Sequence, residues 1–478
     1  MNMPPGSQSA YPAPRAPVSS SAQPATVLQG QGEPAANPRQ AWSVLSLLLL
    51  ILVACAITIP LVRTSDFFIM EQQPANFSQG SARLQLTFGL IFAIAGVICL
   101  RYSKLAWDTA RHVNIMLWLF LLWCLLSVAW SPYPIVTIKR VVQQVGLVLL
   151  GLTLTLPFVP RHLLERAVWW TSMIILVASV LVTLVLPQMS IDTVHGYAWR
   201  GITWHKNTLG GIAALSVVLW LVALSRRWCT PMVGIFGLLF SVIMLALAKS
   251  STAMLTAGIG ITAWGLSRPL PIASEYHLRS IILLALTMVA SLGLLVFVLF
   301  NGHLPTFADL AAPVAAIFRK SPDLTGRSDL WMLVMQNVRQ HLWTGIGYGA
   351  FWLNVGSPSQ YVIDALHWIP LQAHNGYLDL LNETGVIGLS LAIGVLLFHA
   401  GSLLRLTLGG SDTAPFHWAI FAIIVISNLS ESQIFNGLMF QNILLLLSIV
   451  LVARERADMH KQQVLSALAS LKTQDTAR

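Results

Sequence analysis

Hydrophobic positions in this chain run in long unbroken stretches separated by short polar turns. Twelve such stretches fall at approximately 42–62, 84–100, 113–130, 140–158, 167–187, 208–225, 231–248, 251–267, 279–300, 376–404, 414–428 and 436–453. Each is near the ~20 residues an α-helix needs to cross a bilayer. The period-two alternation of a transmembrane barrel is not the pattern here. The expectation is therefore an all-α, polytopic integral membrane protein of about 12 transmembrane helices. The narrowest boundary is Lys249-Ser250-Ser251, which parts the seventh and eighth stretches. Merging those two would put the C-terminus on the other side.

Two segments break the pattern. Residues 1–40 hold eight of the 24 prolines, with Ser, Gln, Ala and Gly between them, and read as a disordered cytoplasmic tail. The stretch 301–375 is the longest loop and lies between helices 1–9 (41–300) and helices 10–12 (376–455). Within it Leu330, Val334, Val338 and Leu342 recur every four residues, the stripe of an amphipathic helix, and Gly345, Gly347 and Gly349 then end it. This loop is long enough to cap the outer face of the membrane domain. The tail 456–478, with Val464, Leu465, Leu468 and Leu471, reads as a short interfacial helix on the inner side.

Composition agrees with the pattern. The chain has 478 residues, 56% hydrophobic and 10% charged, where soluble domains carry about 25% charge. A soluble enzyme and a disordered chain are both excluded. The net charge of +10 would raise nucleic acid as a partner in a soluble protein; here it bears first on orientation. With the N-terminus inside, 17 of the 28 basic residues lie in cytoplasmic segments and 11 in outer ones. That bias favours both termini inside. Cys55, Cys99, Cys124 and Cys229 have no metal-ligand or disulfide spacing.

The chemistry is suggested by the outer cations, because a charge beside a membrane span is tolerated only when paired or facing a wet cavity. Arg140 begins the fourth stretch. Arg200, His205 and Lys206 share one loop with Trp199 and Trp204. Lys249 sits in the turn before the eighth stretch, and Arg327 precedes the amphipathic loop helix, which Ser328 can cap. Few acids accompany them, so the local field suits an anion such as a phosphate or diphosphate. Each cation alone is equally well read as an interfacial anchor.

His374, where the loop enters the tenth stretch, can exchange a proton at neutral pH. On the helix that follows, Tyr377, Leu378, Leu381 and Gly385 share its face, while Asp379 and Glu383 point away; Gly385 and Gly388 would let a neighbouring helix approach. A lone interfacial histidine is the bland alternative. Glu431, in the turn Ser427–Gln433, is a carboxylate that can pair with an outer arginine or bind a sugar hydroxyl, or simply be solvated.

His374-Asn375, nine residues and then Gly385-x-x-Gly388 resembles the hallmark of the O-antigen ligase and polysaccharide polymerase (Wzy-C) superfamily. Gly326-Arg327-Ser328-x-x-Trp331 and Gly345-Ile346-Gly347-x-Gly349 are similar to that family's loop pattern. The segment Arg200–Gly210 and Lys249-Ser250-Ser251-Thr252-Ala253 resemble the branch of ExoQ-type exopolysaccharide polymerases. The resemblance spans about residues 85–455. It implies a GT-C-like, metal-independent, inverting glycosyltransferase of the bacterial inner membrane that works on its periplasmic side without a cofactor. The donor would be an undecaprenyl-diphosphate-linked glycan. The acceptor would be another lipid-linked repeat in a polymerase, or lipid A core in a ligase. A flippase and chain-length or export proteins would be its partners, within membrane lipid and with no nucleic acid.

On this resemblance Arg140, Arg200 and Arg327, with Lys206, receive the departing diphosphate, and His374 positions or deprotonates the acceptor. Trp199, Trp204, Tyr348 and Trp352 can stack on sugar faces, although aromatics at a membrane interface are more often anchors. A transporter or flippase of a lipid-linked or anionic solute is the alternative from another class, and it predicts cations near the bilayer midplane.

Overall fold

A computed structural model describes residues 43–62, 82–193, 196–268, 327–353 and 355–476. The described part of the chain is mostly α-helical. Its helices are α1 (Val44–Thr58), α2 (Ala82–Arg101), α3 (Ser103–Ala110), α4 (Ile115–Leu126), α5 (Pro134–Leu154), α6 (Leu163–Val185), α7 (Pro187–Ser190), α8 (Lys206–Ser225), α9 (Pro231–Leu247), α10 (Ser251–Ser267), α11 (Arg327–Gln340), α12 (Gln360–Leu366), α13 (Gly376–Leu408), α14 (Ala414–Ser427) and α15 (Phe440–Thr476). A two-stranded hairpin, β1 (Ile191–Asp192) and β2 (Ala198–Trp199), lies between α7 and α8. Helices satisfy their own backbone groups, which is what a hydrocarbon surrounding demands.

The starts of the helices are written into the sequence. Ser43, Asn114, Thr230 and Ser250 each accept a hydrogen bond from a backbone N–H of the following first turn, and Pro134, Pro231 and Pro187 occupy first-turn positions where no N–H is needed. The turn at Lys249-Ser250 does separate α9 from α10.

Among the described residues, five helices are long and apolar enough to cross a membrane: Arg83–Arg101, Pro134–Leu154, Leu163–Val185, Lys206–Ser225 and Gly376–Leu408. A sixth crossing results if α3 and the segment Ile115–Ala129, bent by 97° to one another, count as one span. Three shorter apolar helices, α1, α9 and α14, fall on further expected spans. The expected count of twelve is thus larger than length and apolarity support among the described residues. Helix α10 and the first part of α15 occupy two more of the expected intervals, and the span expected at 279–300 lies outside the described residues, as do the tail 1–40 and all of 301–326. The tail expected to lie as a separate interfacial helix instead continues α15 without a break, and its described side chains beyond residue 460 are exposed.

Polar contacts sort the loops into two groups. At one end the turn after α1 pairs with the loop before α8 (Val62 with Thr203), and Ser430 Oγ donates to Thr252 Oγ1 at 3.1 Å. Tyr133 Oη bonds the Gly356 carbonyl there at 3.1 Å. At the other end Arg454 meets Asp108 at 3.1 Å, Arg226 meets Asp412 at 3.2 Å and Ser46 Oγ bonds the Phe158 carbonyl. Between the ends, buried polar pairs join helices: Ser216 with Ser241 at 2.8 Å, and Gln144 with Asn442 at 2.9 Å. Such pairs contribute about 0.6–2 kcal/mol each inside a membrane.

The segment after α10 builds its own small core. Leu330, Val334 and Val338 of α11 are buried against Phe351, Trp352, Val362 and Ala373, as the four-residue stripe requires. Leu342 lies past the end of α11 and is exposed.

Helix α13 is broken at Gly385, whose φ and ψ are 68° and −174°. The backbone groups around the break are taken up by the segment 342–347: Ile346 N donates to Asn382 O, Gly347 N to Glu383 O at 2.9 Å and Val386 N to Leu342 O at 2.8 Å. What Gly385 admits is therefore a loop, where a neighbouring helix was expected. Gly388 does face a helix, since its position lies against Trp123 of α4.

Candidate active site

Glu431 is the centre of a polar cluster at the end where Val62 meets Thr203. Asn207 Nδ2 donates to its Oε1 at 2.7 Å, and Gln372 Nε2 donates to its Oε2 at 3.1 Å. His374 Nδ1 stands 3.6 Å from Oε2, and Arg327 Nη2 stands 4.0 Å from Oε1. The side chains of Glu431, Arg327 and His374 are 15%, 19% and 28% exposed. They are shielded enough for their charges to act strongly and open enough to be reached.

Each side chain is placed by a local device. Arg327 is the first residue of α11, so its guanidinium sits where the free N–H groups of the first turn also lie. Ser328 is consequently inside the first turn, as its second helical residue, and does not stand at the cap position. The buried face of α11 and the 2.8 Å bond from Trp331 Nε1 to the Ala373 carbonyl tie that helix to the strand of chain leading into His374. Asn375 caps α13: its Oδ1 accepts from Tyr377 N at 3.1 Å and Leu378 N at 3.2 Å. Gly376 N donates to the carbonyls of Asn428 and Glu431.

His374 precedes this helix, with φ at 53°, so it shares no helical face with the residues that follow. Asp379 folds back and accepts from Ala373 N at 3.0 Å and from Trp352 Nε1 at 2.7 Å. It anchors the residue next to His374 without touching the imidazole.

The remaining expected residues occupy nearby positions. His205 Nδ1 accepts from Asn207 N at 3.2 Å and so caps α8, whose first residue is the half-buried Lys206. Ser250 Oγ donates to Asn207 Oδ1 at 3.0 Å, while Lys249 itself is exposed and donates to the Gly196 carbonyl at 2.7 Å. Arg200 Nε donates to the Met189 carbonyl at 3.0 Å. Trp204 is exposed, whereas Trp199 packs partly buried against the membrane core.

Arg140 is on the second turn of α5, where the expectation put it at the helix start. It packs against Gly349 and Gly437, with its charge acting on Glu383, whose Oε2 accepts from Gly349 N at 2.9 Å. Tyr348 and Trp352, expected among sugar-stacking aromatics, are buried: Tyr348 Oη bonds the Phe435 carbonyl and Trp352 is held by Asp379.

Sequence reading missed Gln372 and the role of Asn207. Asn207 sat within a quoted segment, but nothing local distinguishes Gln372 from any polar loop residue; its meaning comes from being folded beside Glu431.

Electrostatics favour an ionised Glu431. Burial alone would raise its carboxyl, but the hydrogen bond and charge of His374, the charge of Arg327 and the Asn207 amide together hold it below the usual carboxylate value. Burial presses the Arg327 guanidinium below its ordinary value, and Glu431 opposes that. The arrangement offers a fixed cation, a fixed anion and an imidazole whose Nε2 has no hydrogen-bond partner among the described residues. A hydroxyl entering there can hydrogen-bond to the ring while a nearby anion is held by Arg327.

Residues 235–393 match the model of the O-antigen ligase family (Wzy_C). The chain is also similar to the exopolysaccharide production protein ExoQ of Rhizobium meliloti (strain 1021), at 23% identity over 342 residues, covering 68% of this chain and 73% of that protein. The resemblance read from the His374–Gly388 and Arg327 motifs is borne out. The family match contains Lys249, Arg327 and His374; Arg140, Arg200 and Glu431 lie outside it.

Proposed function

We propose that this chain is a polysaccharide polymerase of the inner membrane, joining a glycan carried on undecaprenyl diphosphate to another lipid-linked repeat at the periplasmic face. The match to the O-antigen ligase family and the similarity to ExoQ support polysaccharide assembly by a ligase or polymerase. The observation that carries the reading is the meeting of Arg327, His374 and Glu431 from three separate segments at one end of a helical membrane domain. Twelve crossings with both termini inside, as the distribution of basic residues favours, would turn that end to the periplasm.

In this reaction the acceptor hydroxyl attacks the anomeric carbon of the donor. Its proton passes to His374 as the new C–O bond forms. The bond from the anomeric carbon to the diphosphate oxygen breaks with its electron pair going to that oxygen. Arg327 receives the charge that develops there, with Arg200, Lys206 and Arg140 contributing positive field. A single displacement of this kind inverts the anomeric centre and requires no metal.

The ligase is the second reading, favoured by the description of the family matched. Deletion of the chromosomal copy separates the two. The polymerase reading expects single lipid-linked repeats to accumulate, whereas a ligase deletion leaves long chains unattached. Transport of substrate by the purified protein across liposomes, with no glycosidic bond formed, would overturn both.

A further inference from the structure

We propose that Arg140 forms a second diphosphate site, which holds the acceptor substrate by the lipid diphosphate that it keeps through the reaction. The proposal rests on the polymerase reading, in which both substrates are lipid-linked.

Arg140 is held from several sides. It lies on the second turn of α5, about 9 Å along the axis from Pro134. Its stem lies against Gly349 and its guanidinium against Gly437, at φ of 71° and 50°. A Cβ on Gly349 would come within 2.6 Å of Arg140 Cγ, and one on Gly437 would run into Arg140 Nη1. Both glycines are fixed from behind. Glu383 Oε2 accepts from Gly349 N at 2.9 Å, and Gln144 Nε2 and Asn442 Nδ2 donate to the Gly437 carbonyl at 3.2 and 2.7 Å. Tyr348 Oη donates to the Phe435 carbonyl and so ties the two loops together.

What this cradle presents is a guanidinium with its donors open. Arg200 donates to the Met189 carbonyl, Lys249 to the Gly196 carbonyl, and Arg327 stands 4.0 Å from Glu431. Arg140 makes no hydrogen bond and no ion pair among the described residues. The acid it acts on, Glu383, takes its hydrogen bond from Gly349 instead. Gln143, three residues along the same face of α5, has its Oε1 buried without a partner, and a Cβ on Gly437 would lie 3.1 Å from that oxygen. A cation and an amide acceptor thus meet at one fixed turn. A charge this far into a crossing helix marks a ligand or a wet cavity, and the guanidinium fork matches phosphate oxygens. Gln143 can accept from a hydroxyl of the sugar next to the diphosphate.

The chemistry of the reaction says which diphosphate. The donor loses its diphosphate, and Arg327, beside His374 and Glu431, receives that group. The acceptor keeps its own, which needs a cation apart from the one that draws the leaving group away. Arg140 and Arg327 act on different acids, Glu383 and Glu431, as two separate sites would.

Native mass spectrometry of the full-length chain in detergent tests this by counting bound undecaprenyl diphosphate, the part common to both substrates. The wild type is expected to bind two equivalents, Arg140→Gln and Arg327→Gln one each, and the double variant none at the same concentration. The Kd of the equivalent lost in Arg140→Gln should rise about tenfold or more, the scale of removing charge-assisted hydrogen bonds. Arg140→Lys keeps the charge without the fork and should recover only part of that binding. Thermal unfolding of each variant in detergent verifies the fold. Undecaprenol, which has the tail and no phosphate, should not supply the Arg140-dependent equivalent. A count that Arg140→Gln leaves unchanged, or that undecaprenol reproduces, overturns the proposal. Displacement of that equivalent by inorganic pyrophosphate at equal concentration would make it a site for the free anion and overturn it as well. If the second site is found but the deletion host accumulates long unattached chains, the diphosphate site stands, and the polymerase reading fails together with the acceptor assignment that rests on it.

Discussion

Gly345 lies directly against Gly385, where α13 is broken. A Cβ on Gly385 would come within 2.6 Å of the Gly345 nitrogen, and both glycines have positive φ, 66° and 68°. The loop that carries Gly345 therefore replaces the helical hydrogen bonds lost at the break, and the nine residues Gly376–Thr384 form a separate helical piece beneath His374.

Gly385→Ala is accordingly expected to destabilise the protein by about 2 kcal/mol or more, from a backbone region nearly exclusive to glycine and from a clash with backbone that cannot move aside. Gly401→Ala is the control, since a Cβ there meets nothing within 4 Å and alanine is the better helix former. Thermal unfolding in detergent should separate the two; equal midpoints would contradict the account of the break.

Glu431 makes the outer turn sensitive to acid. Its folded value is depressed, so the stability it contributes is fully present above the ordinary carboxylate value and lost as pH falls through the depressed one. Glu431→Gln should therefore be less stable than the wild type at neutral pH, with the difference closing toward ~pH 3. A gap that persists unchanged in acid would show that the carboxylate charge is not what the turn uses.

The opposite end carries a network with the reverse dependence. His162 Nε2 lies 3.4 Å from Asp412 and Nδ1 lies 3.3 Å from Glu165, with Arg226 bonded to both acids. Burial would lower the His162 imidazole, but the hydrogen bonds from it to Asp412 and Glu165 outweigh burial and raise it to about 9. The stability it contributes is fully present below its ordinary value of 6.5 and lost as pH rises through about 9. Asp412, held down to about 2 by the bond from His162, contributes above its ordinary 3.8 and ceases to as pH falls through about 2. The unfolding midpoint of His162→Gln should lie below that of the wild type near ~pH 6 and meet it by ~pH 10.

Arg327 distinguishes a point charge from a planar one. Arg327→Ala should lower polymer formation by about a hundredfold, the scale of losing one group aimed at a developing anion. Arg327→Lys should restore little if the diphosphate is gripped through two N–H groups. Wild-type polymer from both variants would reduce Arg327 to an anchor. Membrane yield of each variant provides the check that folding is intact.

The helical membrane architecture was legible because uninterrupted apolar stretches admit few other structures. The stripe Leu330-Val334-Val338 likewise foretold a buried helical face. The motif around His374 was legible through resemblance, and Glu431 was visible as an acid beside a membrane surface. Gln372 was not, since a glutamine in a loop has no periodicity, and its partner lies 59 positions along the chain. The break at Gly385 was hidden for a related reason: the glycine was visible, but whether a helix or a loop would fill its space depends on where Trp343–Gly347 folds. Tyr348 and Trp352 misled because an aromatic near a membrane surface reads the same whether it faces a sugar or is buried against Phe435 or Asp379.

The most direct measurement is glycan polymer in a deletion host carrying His374→Ala, with insertion and membrane abundance of the variant verified. The account predicts no polymer and accumulated lipid-linked single repeats, as in the deletion itself. Polymer of normal length and amount from that variant would contradict it.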